Sequence, residues 1–250
     1  MESALNYPRM VMLISFLVLW LAAWAGGRLQ QWRRLDEDLR SDFNVVQGAT
    51  LTLLGLIIGF TFSMAISRYD QRKIYEEAEA NAIGTEYARA DLLPKTDATR
   101  VRNLLRQYID LRIDFYEARD HAAQKNISRD TTTLQNQLWQ AVVHSVSTQS
   151  TPITTLAVAG MNDVLNSQGY TQAAWWNRIP GSAWGLMFLI AIFANMLLGY
   201  GAKRLQPSLF VILPLIVSIS FFLIADIDSS RQGIIRVHAQ NIESLRDSLH

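Results

Sequence analysis

Four stretches of the chain are apolar over a length that can cross a bilayer, and the remainder is polar with helical periodicity. The first apolar stretch covers residues 10–26, the second 49–67, the third 183–201 and the fourth 207–225. A spanning helix needs about 20 mostly apolar residues. None of the four contains Lys, Arg, Asp or Glu, and one such charge at mid-bilayer costs roughly 2.5–3.5 kcal/mol. Four membrane helices are therefore expected. Trp20 and Trp24 fit an interfacial aromatic belt near the end of the first. Ala23-Trp24-Ala25 has the form of a signal-peptidase site, but Arg9 alone precedes it as a basic residue. We read the segment as a retained anchor.

The polar region from Arg68 to Ser182 divides into helices. Pro94 is expected to end the first, and Thr96 or Asp97 to cap the second. That second helix carries Val101, Leu104, Tyr108, Leu111 and Phe115 at three- and four-residue spacing, a buried face. Arg102, Arg106, Asp110 and Glu117 take the other side. A third helix is predicted over 130–147, with Leu134, Leu138 and Val142 inward. A fourth is predicted from Pro152 to Asn166, with Gly169 as a break. Ala173 to Ile179, with Trp175 and Trp176, then leads back to the membrane surface. No alternating strand pattern and no internal repeat are present. The resulting expectation is an all-α membrane protein: four transmembrane helices with a helical extramembrane domain inserted between the second and third. Its expected parts are 1–66, 67–182, 183–225 and a C-terminal tail, 226–250.

Composition narrows the function. Lys plus Arg total 23 and Asp plus Glu 22, a net charge of +1, which excludes a nucleic-acid binder acting through bulk charge. With 50% hydrophobic residues the chain is not disordered. It has no Cys, hence no disulfide, thiolate metal site or Cys nucleophile. His121, His144, His238 and His250 show no metal-ligand spacing, and no Walker loop or GxSxG occurs. No catalytic residue, metal or cofactor is assigned, and the protein is not expected to be an enzyme. Glu76, Glu77 and Glu79 read as a solvated helix face. Basic residues flanking the spans nearly balance: Arg28, Arg33, Arg34, Arg40, Lys203 and Arg204 on one side, Arg9, Arg68, Arg72, Lys73, Arg178, Arg231 and Arg236 on the other. The positive-inside rule therefore sets no orientation.

The second stretch carries the sharpest pattern. Gly55, Gly59, Ser63 and Ser67 recur every four residues, a small-residue stripe that admits close backbone approach. Beside it run Leu54, Ile58, Phe62 and Ile66. One reading is ordinary packing within a single bundle. The other is a helix repeated around an oligomer axis, its large side chains forming an apolar constriction. No Pro occurs between Thr50 and Leu93, so one helix of roughly 65 Å can continue out of the bilayer. Arg68, Tyr69 and Asp70 would stand at its exit as a pore mouth or an interfacial anchor. Pro214 interrupts the fourth stretch, where Ser218 and Ser220 are candidates to satisfy the freed carbonyl. Asn195, the amide of the third stretch, is expected to hydrogen-bond between helices.

Gly59 to Ala65 (GFTFSMA), Arg68 to Arg72 (RYDQR), Glu79 to Thr85 (EANAIGT) and Asp91 to Pro94 (DLLP) together resemble the bestrophin-like domain family of bacterial and plant membrane proteins. The tail is similar too: Asp226 and Asp228 form a post-span acidic turn before Gly233, Ile235 and Val237. Ser229-Ser230 stand where the family often has D-x-P. The more distant bestrophins are pentameric ion channels whose second span ends in Y-D-x-x-W. Tyr69-Asp70 match that pattern and Lys73 does not. The acidic cluster of calcium-gated members is only partly echoed.

The resemblance implies an oligomeric ion channel, pentameric as a first guess, with the second helix lining the pore. It implies inorganic ions and membrane lipid as partners, no nucleic acid, and a multi-pass location in a bacterial inner membrane with the inserted domain cytoplasmic. The alternative is a membrane-anchored scaffold or signalling protein whose helical domain binds a partner.

Overall fold

The computed structural model describes residues 7–32, 38–148, 151–202, 209–229 and 231–249. Arg33, Arg34, Lys203, Arg204, Pro207, Ser230 and His250 lie outside them. The described residues are helical, without strands. In order the helices are α1 (Pro8–Trp32), α2 (Arg40–Arg89), α3 (Lys95–Glu117), α4 (His121–Thr148), α5 (Thr155–Trp176), α6 (Gly181–Gly201), α7 (Leu209–Asp228) and α8 (Gln240–Ser248). A single 3₁₀ turn, Ala90–Leu92, follows α2. Four helical segments are long and apolar enough to cross a membrane, in α1, α2, α6 and α7.

The chain forms two compact units. One comprises Met1–Arg68 and Arg178–Arg236, the other Tyr69–Asn177 and Val237–His250. In the first unit, α1 packs against α6 through small residues. A methyl group at Gly26 would overlap the carbonyl of Met196, and one at Gly199 would overlap that of Ala23. Only glycine lets these two backbones meet, which is how apolar helices gain packing in lipid. Trp184, Phe188 and Phe221 join α6 to α7 edge-on, with Phe188 and Phe221 centroids 4.7 Å apart. Pro214 lies inside α7. The serines do not take the expected part: Ser220 Oγ donates to its own helix at Ile216, and Ser218 is buried without a hydrogen-bond partner. Asn195 likewise turns inward on its own helix, donating to the Ala191 carbonyl at 2.8 Å. A mid-helix carbonyl can accept a second hydrogen bond from a side chain one turn on, while Asn195 Oδ1 is buried without a hydrogen-bond partner among the described residues.

The second unit buries Ile83, Val101, Leu105, Tyr108, Ile109, Leu138, Val142, Met161, Val164 and Trp175. Several expected boundaries shift. Pro94 itself stands at the α3 N-cap, with no side-chain cap, so Thr96 and Asp97 fall in the first turn. The buried face of α3 centres on Val101, Leu105, Tyr108, Ile109 and Arg112, while Leu104 and Leu111 are half-buried flanks. Helix α4 begins at His121, earlier than predicted. Helix α5 runs straight through Gly169 to Trp176. A lone glycine weakens a helix by about 1 kcal/mol, which tertiary burial on either side exceeds. Trp175 is buried beside Phe115 and Tyr116, and Trp176 is exposed.

Candidate functional site

Helix α2 is the least buried of the apolar segments. Only 17% of its most apolar window is buried in the chain, against 39% for α1 and 50% for α7. The side turned into its own unit is marked by Leu54, Thr61 and Ala65. Thr61 satisfies its hydroxyl on the Ile57 carbonyl of the same helix. The small-residue stripe faces away from that side. Gly55 and Gly59 have nothing within 4 Å of where a side chain would begin, and Ser63 and Ser67 are exposed. Among the described residues the stripe thus has no packing partner in the same chain. The close helix crossing that such residues permit occurs instead at Gly26 and Gly199.

The large apolar row divides. Leu54 is buried within its unit, and Ile58 is half-buried. Phe62 and Ile66 are exposed, together with Leu53, Leu56, Phe60 and Met64. Of the three residues at the helix exit, Arg68 and Tyr69 are half-buried and Asp70 is exposed.

Asp226 and Asp228 are buried and occupied by their own chain. The Asp226 carboxylate accepts from the Ile234 N–H at 2.8 Å and the Ile235 N–H at 2.8 Å. Asp228 accepts from the Ile179 N–H at 3.1 Å and lies 3.4 Å from Arg178 Nε. The Asp226 contacts close the turn after α7, and those of Asp228 tie the end of α7 to the segment before α6. Among the described residues no group of three His, Cys, Asp or Glu is placed to hold a metal ion.

In the second unit, Glu76 and Glu79 are buried and only Glu77 is exposed, which corrects the reading of this run as a solvated face. Glu79 accepts from Arg112 Nε at 2.5 Å, Tyr116 OH at 3.2 Å and Thr171 Oγ at 3.0 Å. The Arg112 guanidinium also lies over the Phe115 ring, 4.2 Å from its centroid. Gln135 Nε2 donates to the Tyr108 hydroxyl at 3.2 Å. Burial, followed by the Glu79 charge, pushes the Tyr108 and Tyr116 hydroxyls above the usual phenol range, so both stay protonated.

Glu76 does different work. It accepts from the backbone N–H groups of Asn241 at 2.8 Å and Ile242 at 3.0 Å, and from the Asn241 side chain at 2.5 Å. Ala239, at the N-cap of α8, offers no side-chain acceptor; Glu76 supplies it from α2. Burial pushes its carboxyl above the usual range, opposed by these hydrogen bonds. A sequence signal for the network exists: Arg72, Glu76, Glu79 and Ile83 share one helix face, and Arg112 lies in line with Leu105, Tyr108 and Ile109. Charges of opposite sign on two buried stripes mark an internal ion pair.

A family model described as Bestrophin-like domain matches residues 14–242. Among solved structures, a crystal structure of a point variant of a bacterial Bestrophin homolog from Klebsiella pneumoniae is similar with a TM-score of 0.65 and 12% identity, covering 95% of this chain and 97% of that one. A second variant of the Klebsiella homolog has a TM-score of 0.64 at 12% identity with the same coverage. A crystal structure of a membrane protein variant gives 0.64 at 13% identity, again covering 95% and 97%. At these identities the likeness shows the fold. No curated protein matches the chain.

Proposed function

Because the chain belongs to the Bestrophin-like domain family, we propose that it is an oligomeric ion channel in which α2 lines the ion path. The observation that carries this reading is the exposure of α2. The other apolar helices bury more of their surface in the chain, while α2 leaves Gly55, Gly59, Phe62 and Ile66 uncovered. A lipid-facing helix needs no such small-residue stripe, whereas a helix repeated around an axis uses it to approach its neighbours. Five copies is the number implied by the bestrophin likeness. In this reading 69–177 forms the extramembrane domain inserted between the second and third spans, on the cytoplasmic side of a bacterial inner membrane.

Ile58, Phe62 and Ile66 form the constriction. An ion entering an apolar ring loses hydration without replacement ligands. Leu54, already buried, is left out of the lining. Asp70 and Arg68 stand near the mouth. The test is ion flux through purified protein in liposomes, with oligomer size measured in parallel. Phe62→Ala and the triple change of Ile58, Phe62 and Ile66 to Ala should raise flux in an intact oligomer. No flux in the wild type or either variant, with assembly preserved, favours a membrane-anchored scaffold instead.

A further inference from the structure

Among the described residues Glu86 is the one buried acid in the second unit that the network above does not use. Its side chain has no solvent exposure, and neither carboxyl oxygen has a hydrogen-bond donor among those residues. Oε2 lies against Gly160 of α5, so closely that a methyl group there would overlap it. The same methyl group would meet Arg89 Nη1 at 2.5 Å. Arg89 is drawn toward α5, where Nη1 donates to the Leu156 carbonyl at 3.4 Å and lies 4.0 Å from Asp163. A charged carboxylate in such a place lacks both water and donors.

We propose that Glu86 is a proton-binding site that controls how firmly α5 docks on α2: the neutral carboxyl lies flat on the α5 backbone at Gly160, and its ionisation loosens the contact. The charged groups acting on it are Arg89 on its own helix and Asp163 on α5. Burial, opposed by Arg89 and aided by Asp163, pushes the Glu86 carboxyl up to about 8. The docked form therefore binds the proton more tightly than the undocked form. The contribution to docking is fully present below the ordinary carboxylate range and declines as pH rises, by up to about tenfold per pH unit. It levels off above pH 8. The inference does not depend on whether the protein conducts ions.

Amide hydrogen exchange of the full-length protein in lipid nanodiscs tests this between pH 5 and 9, after correction for intrinsic exchange. Protection over 155–176 should fall steadily up to pH 8 and then level. Glu86→Gln, which keeps the neutral shape, should make the same segment insensitive to pH. Gly160→Ala, which expels the carboxyl, should lower protection at pH 5 and also abolish the pH dependence. Wild-type protection that stays flat over this range, or an unchanged slope in Glu86→Gln, overturns the proposal. Should Glu86→Gln fail to fold, infrared difference spectra of the wild type decide: a protonated carboxyl band lost between pH 6 and 9 supports it, and the absence of that band overturns it.

Discussion

Arg112 Nε lies 2.5 Å from Glu79 Oε1, and both side chains are sealed from solvent. Each is the other's compensation for leaving water. Removing one leaves a bare charge in the core, which costs about 3–5 kcal/mol. Arg112→Met and Glu79→Leu should each lower the melting temperature sharply, and the double variant should recover part of the loss. A thermal double-mutant cycle on the purified protein checks this. Equal, additive losses would mean that the pair is not coupled.

The glycines should separate by role. Gly199→Leu forces α1 and α6 apart, because the space is filled by the Ala23 backbone. The expected outcome is loss of folded, monodisperse protein. A side chain begun at Gly59 meets nothing within 4 Å among the described residues, so Gly59→Leu should fold while changing the oligomer size. Light scattering in detergent, alongside circular dichroism, distinguishes the two.

Glu76→Ala removes the acceptor at the start of α8. Loss of a cap typically costs about 1 kcal/mol, and here the bonds also fix the tail to α2. Limited proteolysis should cut 237–249 several times faster in the variant, with the remaining fragments unchanged. Glu76→Gln keeps one acceptor oxygen and should fall between.

The proposed cytoplasmic placement of 69–177 can be tested with a single cysteine, since the native chain has none. Lys125 is exposed. An impermeant thiol reagent should label Lys125→Cys only after the inner membrane is opened. Labelling in spheroplasts with an intact inner membrane would place the region outside.

How much of this was legible beforehand follows from what sequence periodicity can encode. The four apolar segments and the helical character of 68–182 were readable, because length and absence of charge are one-dimensional properties. The stripes of α2 were readable as stripes. Which one turned inward was not, since a helix apolar on all sides carries no directional signal. The acidic run misled for a different reason. Glu76 and Glu79 are of the same type as Glu77 and differ only in phase with Ile83; burial is excused by partners on other helices, Arg112 for Glu79 and the start of α8 for Glu76. Gly169 shows the limit of breaker rules where flanking residues are buried. The role of Gly160 was hidden altogether, because it depends on a carboxyl brought from α2.

One consequence of the length of α2 concerns angular register. Within the second unit its buried positions Arg72, Glu76, Glu79, Ile83 and Glu86 follow at spacings of four, three, four and three residues, with Ala80 buried beside them. These spacings keep them on a single line along the helix. The line is set by turn angle alone, about 100° per residue, since α2 is helical without a break from Arg40 to Arg89. One residue inserted between Glu76 and Glu79 would swing the two halves of the line about 100° apart, while seven would return them to within about 20°. Length changes here among relatives should therefore come in whole pairs of turns or not at all, whereas the connections on either side of the helix carry no such restriction.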